Sequence, residues 1–257
     1  MHTLVRLLAG VLLLSILTAA HAQQGLPEQP ADAADASERR GGVRYAEGPA
    51  GGADAALYGF RSVLSLNGPG IAQIDRDSLT VQGPLAIYML GVASRRGAPP
   101  PGVSLEQLQA SMSLDKATPS GQFMYLVVDG NGTPAANVDV GFRNGRLQMT
   151  SANTMGPFAD TIAPAVAEIH GIDFLQAGSY ELRVLQVPPW PGSHDVLMVL
   201  WVASTTSSDD FIYVLPIPFT PGHVHTGALY RAADFFELAK PALQRTRLNP
   251  DIAPVWP

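Results

Sequence analysis

Ser179-Tyr180-Glu181-Leu182-Arg183-Val184 places Tyr180, Leu182 and Val184 on one side of an extended chain and Ser179, Glu181 and Arg183 on the other. That period of two marks a strand with one dry face, because successive side chains of extended backbone leave opposite faces. Val138, Val140 and Phe142 alternate with Asp139 and Gly141 in the same way. Outward from these two segments, short apolar runs recur at 57–66, 78–93, 122–129, 136–143, 145–150, 178–187, 195–204 and 210–217. Gly, Pro, Asn and Asp clusters separate them, the pattern of strands joined by turns. With no strand–helix–strand alternation visible, the expected class is mainly β: two antiparallel sheets packed face to face as a sandwich.

Within 78–93 the Gly83-Pro84 pair should break or kink the strand, since proline has no amide to give a ladder. An edge or corner is expected there. Ser104-Leu105-Glu106-Gln107 has the spacing of a capping box and predicts a short crossover helix over about 104–111. Pro216, Pro218 and Pro221 end the last run. Gly227 to Ala239 then reads as a C-terminal helix with Leu229 and Phe236 on one stripe, stopped or kinked at Pro241. Its expected role is to cover a sheet edge or an open end.

Phe-Met-Tyr-Leu-Val-Val-Asp-Gly-Asn-Gly-Thr-Pro-Ala-Ala-Asn-Val-Asp-Val-Gly-Phe-Arg, residues 123–143, resembles the strand–turn–strand unit of bacterial immunoglobulin-like domains, in which a D-x-x-G-x-P turn precedes alternating valines. Gly130 and Gly132 permit positive φ, Asp129 and Asn131 can bond their own backbone, and Pro134 presets the exit. Ala177-Gly178-Ser179-Tyr180-Glu181-Leu182-Arg183-Val184 is similar to the strand with which many such sandwiches close. The resemblance implies an immunoglobulin-like β-sandwich and carries no catalytic residue. Domains of that kind serve as spacers, adhesin modules, assembly parts and ligand binders.

The ends of the chain divide it further. Residues 1–22 carry Arg6, an apolar run from Leu7 to Leu17, and Ala20-His21-Ala22, which reads as a removable export signal cut before Gln23. The run is shorter than the roughly 20 residues that span a bilayer, so no transmembrane segment is expected after cleavage. Residues 23–56, rich in Ala, Gly, Pro and charge, read as a flexible leader. The sandwich is assigned to 57–220, and 221–257 to the C-terminal helix and a Pro-rich tail. A periplasmic or secreted location follows. The chain has no cysteine, which excludes disulfides, thiolate metal sites and a cysteine nucleophile. A formal charge of −6 supplies no clustered cations for nucleic acid.

Candidate chemistry centres on His223-Val224-His225. In an extended segment i and i+2 side chains share a face and could hold one zinc or copper ion, with a third ligand from His170, His194, Asp195, Asp209 or Asp210. The competing reading is a polar turn. Ser193-His194-Asp195 has the residue types of a hydrolase triad, but neighbours in a row cannot adopt its geometry. Asp129 to Pro134 begins like a calcium loop, yet it has Pro where that loop needs Gly and lacks the closing Glu. Met149 and Met155 could serve a copper site or fill core gaps. Trp190, among Pro188, Pro189 and Pro191, could stack on a sugar or a partner, whereas Trp201 inside an apolar run reads as core.

Three functions remain open from sequence. The first is an exported non-catalytic β-sandwich that binds or scaffolds another envelope or secreted component, with no cofactor. The second is a metal-binding periplasmic protein or hydrolase centred on His223 and His225. The third is a carbohydrate-binding module using Trp190.

Overall fold

The alternating segments form strands in the computed structural model, which describes residues 41–66, 74–90, 107, 110, 112–154, 157–187, 196–217 and 224–242. In chain order the elements are β1 (Gly42–Tyr45), α1 (Gly52–Leu66), β2 (Thr80–Leu90), β3 (Ala117–Val128), β4 (Pro134–Arg143), β5 (Arg146–Asn153), α2 (Pro157–His170), α3 (Asp173–Gln176), β6 (Ser179–Val187), β7 (Leu197–Ser204), β8 (Phe211–Tyr213), β9 (Leu229–Arg231) and α4 (Ala232–Ala242). The protein is mainly β, as its patterning predicts.

Pairing departs from two antiparallel sheets. Among the described residues the nine strands belong to one sheet, ordered β5-β4-β3-β2-β6-β7-β8-β9, with β1 also paired to β6. Two antiparallel meanders, β2 to β5 and β6 to β9, meet at the parallel pair β2–β6, where Ala86 to Met89 run beside Arg183 to Gln186. A parallel pair needs a long crossover. Here the chain passes through β3, β4, β5, α2 and α3 before returning as β6.

Helix α2 is an element that strand-centred reading passes over. Ile162, Ala165, Val166 and Ile169 recur at helical spacing and are all buried. They share a core with Met124 and Leu126 of β3, whereas the alternate residues Tyr125 and Val127 share another with Ala56, Phe60 and Leu64 of α1. Helices thus cover both faces of β3.

The run 57–66, expected as a strand, lies within α1. Gly52, Ala56, Phe60 and Leu64 are buried at every fourth position, a helical stripe that apolar content alone disguises. Gly59 faces Met149 on β5 so closely that a Cβ there would lie 2.5 Å from Met149 Cβ and 2.9 Å from its sulfur. The flexible leader expected over 23–56 also needs correction at its end. Gly42 to Tyr45 pair in parallel with Ser179 to Leu182, because β6 offers a free edge where β2 has turned away.

That turn falls at Gly83-Pro84, as the sequence predicts. The peptide there is cis and Gly83 has a φ of 112°. The β2–β3 register shifts between Gln82 and Leu85, and pairing with β6 begins only at Ala86. β1 fills the vacated half, and Ala46 N–H donates to the Pro84 carbonyl at 3.0 Å.

Both hairpin turns of the first meander are locally encoded. Asp129 Oδ1 accepts from the amides of Asn131 and Thr133 at 2.9 and 2.8 Å, so this loop is a turn between β3 and β4. Asn144 and Gly145 have φ of 51° and 72°, the Asn-Gly conformation that suits the twist of a two-residue hairpin.

The predicted C-terminal helix begins later than expected. Leu229 to Arg231 form β9, antiparallel to Phe211 to Tyr213, and α4 follows. Its apolar stripe comprises Ala232, Phe235, Phe236, Leu238 and Ala239 rather than Leu229. The helix runs through Pro241 and ends one residue later, at Ala242. Of the crossover helix expected over 104–111, only Gln107 and Ala110 are described, and both are helical.

Candidate functional site

Strand alternation sends Glu181 and Arg183 of β6 to one face, away from the core residues Leu182 and Val184. Register places Trp201 of β7 opposite Arg183 and Ala86 of β2 on its other side, with Tyr88 two residues further along. Arg183 extends between the two rings, its Cζ 4.8 Å from the Tyr88 centroid and 4.6 Å from that of Trp201. The rings themselves meet edge to face, with centroids 5.1 Å apart. Arg183 Nε donates to Glu181 Oε1 at 2.7 Å, and each side chain is about one-fifth exposed. Stacking by two rings and one fixed hydrogen bond hold the guanidinium in a single geometry. Trp201 is 6% exposed, and its indole N–H has no hydrogen-bond partner among the described residues.

Beside this cluster lies a recess of about 220 Å³ lined by Ala46 and Glu47, by Ala86 and Tyr88 of β2, by Phe123 of β3 and by Glu181, among others. The loop after β1 forms one wall. It sits tight against the sheet, since a Cβ on Gly48 would lie 2.5 Å from Pro84 Cγ and 2.8 Å from Tyr125 Oη, and one on Gly52 would collide with the same hydroxyl. Only glycine lets backbone approach that closely. Glu47 is exposed and makes no hydrogen bond or ion pair among the described residues.

Elsewhere on β4, Asp139 is largely removed from water. Ser151 Oγ donates to its Oδ2 at 2.6 Å, while Oδ1 is buried without a partner among the described residues. Burial raises its pKa, partly offset by the Ser151 hydrogen bond. A group whose folded pKa lies above its unfolded value contributes stability below the unfolded pKa and loses it as pH rises. Asp139→Asn should therefore stabilise the protein by about 1 kcal/mol at neutral pH. The gain should vanish near about pH 3, where both states carry the proton. Urea midpoints at the two pH values check this; equal effects at both would refute it.

Among the described residues, no three His, Asp or Glu side chains gather as metal ligands would. His225 presents its backbone N–H to Tyr230 Oη at 3.0 Å, and His223 lies outside the described residues. His170 is engaged on its own helix, Nδ1 to the Val166 carbonyl at 2.7 Å, with its ring 5.7 Å from that of Tyr45. Asp210 Oδ1 accepts from the Ser204 amide at 2.7 Å, and Asp209 lies 3.9 Å from Arg231. Met149 packs with the α1 core. Trp190, Ser193, His194, Asp195 and Met155 are outside the described residues.

No family model, curated protein or solved structure matches the chain.

Sequence reasoning passed over Arg183 and Tyr88. A Glu and an Arg two apart on a strand look like a solvated face, and nothing local predicts that Tyr88 lies across the ladder. The available signal was weaker: Tyr88 and Trp201 both lie in apolar runs expected to form strands.

Proposed function

We propose that this is an exported, non-catalytic protein that binds or scaffolds another envelope or secreted component. One observation carries the binding part of this reading: a recess on the sheet where two carboxylates and two aromatic rings converge, walled by a loop that glycine contacts press against the sheet. Concave sites with a few placed polar groups among apolar ones are where proteins take ligands. The export part rests on the basic, apolar and small-residue order of residues 1–22. The immunoglobulin-like resemblance enters only through its strand–turn–strand unit at 123–143.

Expression of the full chain in a bacterium, with fractionation and N-terminal sequencing, tests export: the expected product is periplasmic or secreted and begins at Gln23. Crosslinking in the same cells tests binding, and the expected adduct with a defined envelope or secreted protein should weaken in Glu47→Arg. A chain retained in the cytoplasm with residues 1–22 intact would overturn the location. Turnover of ester, glycoside or phosphate substrates by the purified chain would overturn the non-catalytic role.

A further inference from the structure

We infer that the recess beside Arg183 receives a single basic side chain, lysine or arginine, from the partner protein; this deepens the binding reading above and rests on it. Charge complementarity carries the argument. The lining contains Glu47 and Glu181 and no Lys or Arg; Glu181 is already paired with Arg183, so the charge left for an entering cation to neutralise is that of Glu47. Among the described residues Glu47 has no partner to displace. Tyr88 and Phe123 add aromatic rings to the lining, and aromatic rings attract cations through their quadrupoles.

Size points the same way. At about 220 Å³ the recess is smaller than the ~300–1,000 Å³ clefts that hold drug-sized molecules. One side chain suits it better than a metabolite. The protein already uses this chemistry internally, since Arg183 is held by Tyr88, Trp201 and Glu181 in the same combination of rings and carboxylate. An incoming cation would sit beside that cluster and share Tyr88 and Glu181 with it.

The test is a titration of isotope-labelled full chain with acetyl-Gly-Lys-Gly-amide and its Arg counterpart, and with the Glu peptide as control. Saturable amide shifts are expected at Ala86, Tyr88 and Phe123 with the basic peptides and none with the Glu peptide. Glu47→Gln, at an exposed position, should weaken binding about fivefold, and Glu47→Asp should restore part of it. Absence of saturable shifts, an equal response to the Glu peptide, or unchanged affinity in Glu47→Gln would each overturn the inference. A crosslinked partner that survives Glu47→Arg would leave the binding-protein reading standing and remove this site from it. Peptide binding without any envelope partner would do the reverse.

Discussion

Raising the pH above about 10 should unfold this protein cooperatively, with its midpoint between about pH 10 and 12. Tyr213 on β8 is buried, and its hydroxyl donates to Glu168 of α2. Burial first, then the hydrogen bond and charge of Glu168, drive its pKa far above the ordinary value of 10.0. Burial also raises Tyr45, Tyr125, Tyr180 and Tyr230, with Asp209 and Asp210 adding to the effect at Tyr180 and the His225 amide opposing it at Tyr230.

The sign follows from proton counting. Above pH 10 the unfolded chain releases tyrosine protons that the folded chain retains, so stability present below the unfolded pKa is lost as pH rises. Each fully retained proton costs about 1.4 kcal/mol per pH unit. Several acting together approach the whole stability of a domain, about 5–15 kcal/mol, within two units. Circular dichroism and tyrosinate absorbance followed together should change in one step. Tyr213→Phe should flatten the alkaline fall, even though losing the Glu168 contact costs about 1 kcal/mol at neutral pH. If all seven tyrosines titrated near pH 10 while the fold persisted, the account would fail.

Gly59→Ala should destabilise the protein by about 1–2 kcal/mol, opposite to what helix propensity alone predicts. In an exposed helix interior that change stabilises by about 1 kcal/mol. Here the new methyl would meet Met149 Cβ at 2.5 Å. Because Cβ is fixed to the β5 backbone, helix or strand must shift, and overpacking of this kind costs about 1–3 kcal/mol. In a Met149→Gly background the obstruction is gone, and the same substitution should become neutral or stabilising. Thermal melts of the four proteins would show the reversal of sign; additive effects would mean that α1 and β5 do not touch as described.

Legibility from sequence varied with the range of the interaction that fixes each element. β6 was readable because Tyr180, Leu182 and Val184 carry their own period of two. The 129–134 turn was readable because Asp129 bonds amides two and four residues on. α1 was misread because Leu57, Phe60, Val63 and Leu64 satisfy both a short apolar run and a helical stripe, and periodicity over so short a window does not separate the two. α2 carried a clear stripe at Ile162, Ala165, Val166 and Ile169, obscured by Pro164 in its interior. Nothing in the segment 42–45 announces a strand, because its only reason to be one is the edge of β6 left bare beyond Pro84.

The same distinction governs the candidate site. The sequence by itself determined the mainly β character, the irregularity at Gly83-Pro84, the 129–134 turn and the burial of Trp201. These follow from backbone preferences and side-chain alternation within a few residues. Only the tertiary structure decided that β2 and β6 lie parallel at the centre of one sheet, that helices cover both faces of β3, and that Tyr88, Arg183 and Trp201 stack beside a carboxylate-lined recess. Those arrangements join segments far apart in the chain, and the choice among possible neighbours rests on which apolar faces the helices leave to be covered, a property of the whole packing rather than of any one stretch.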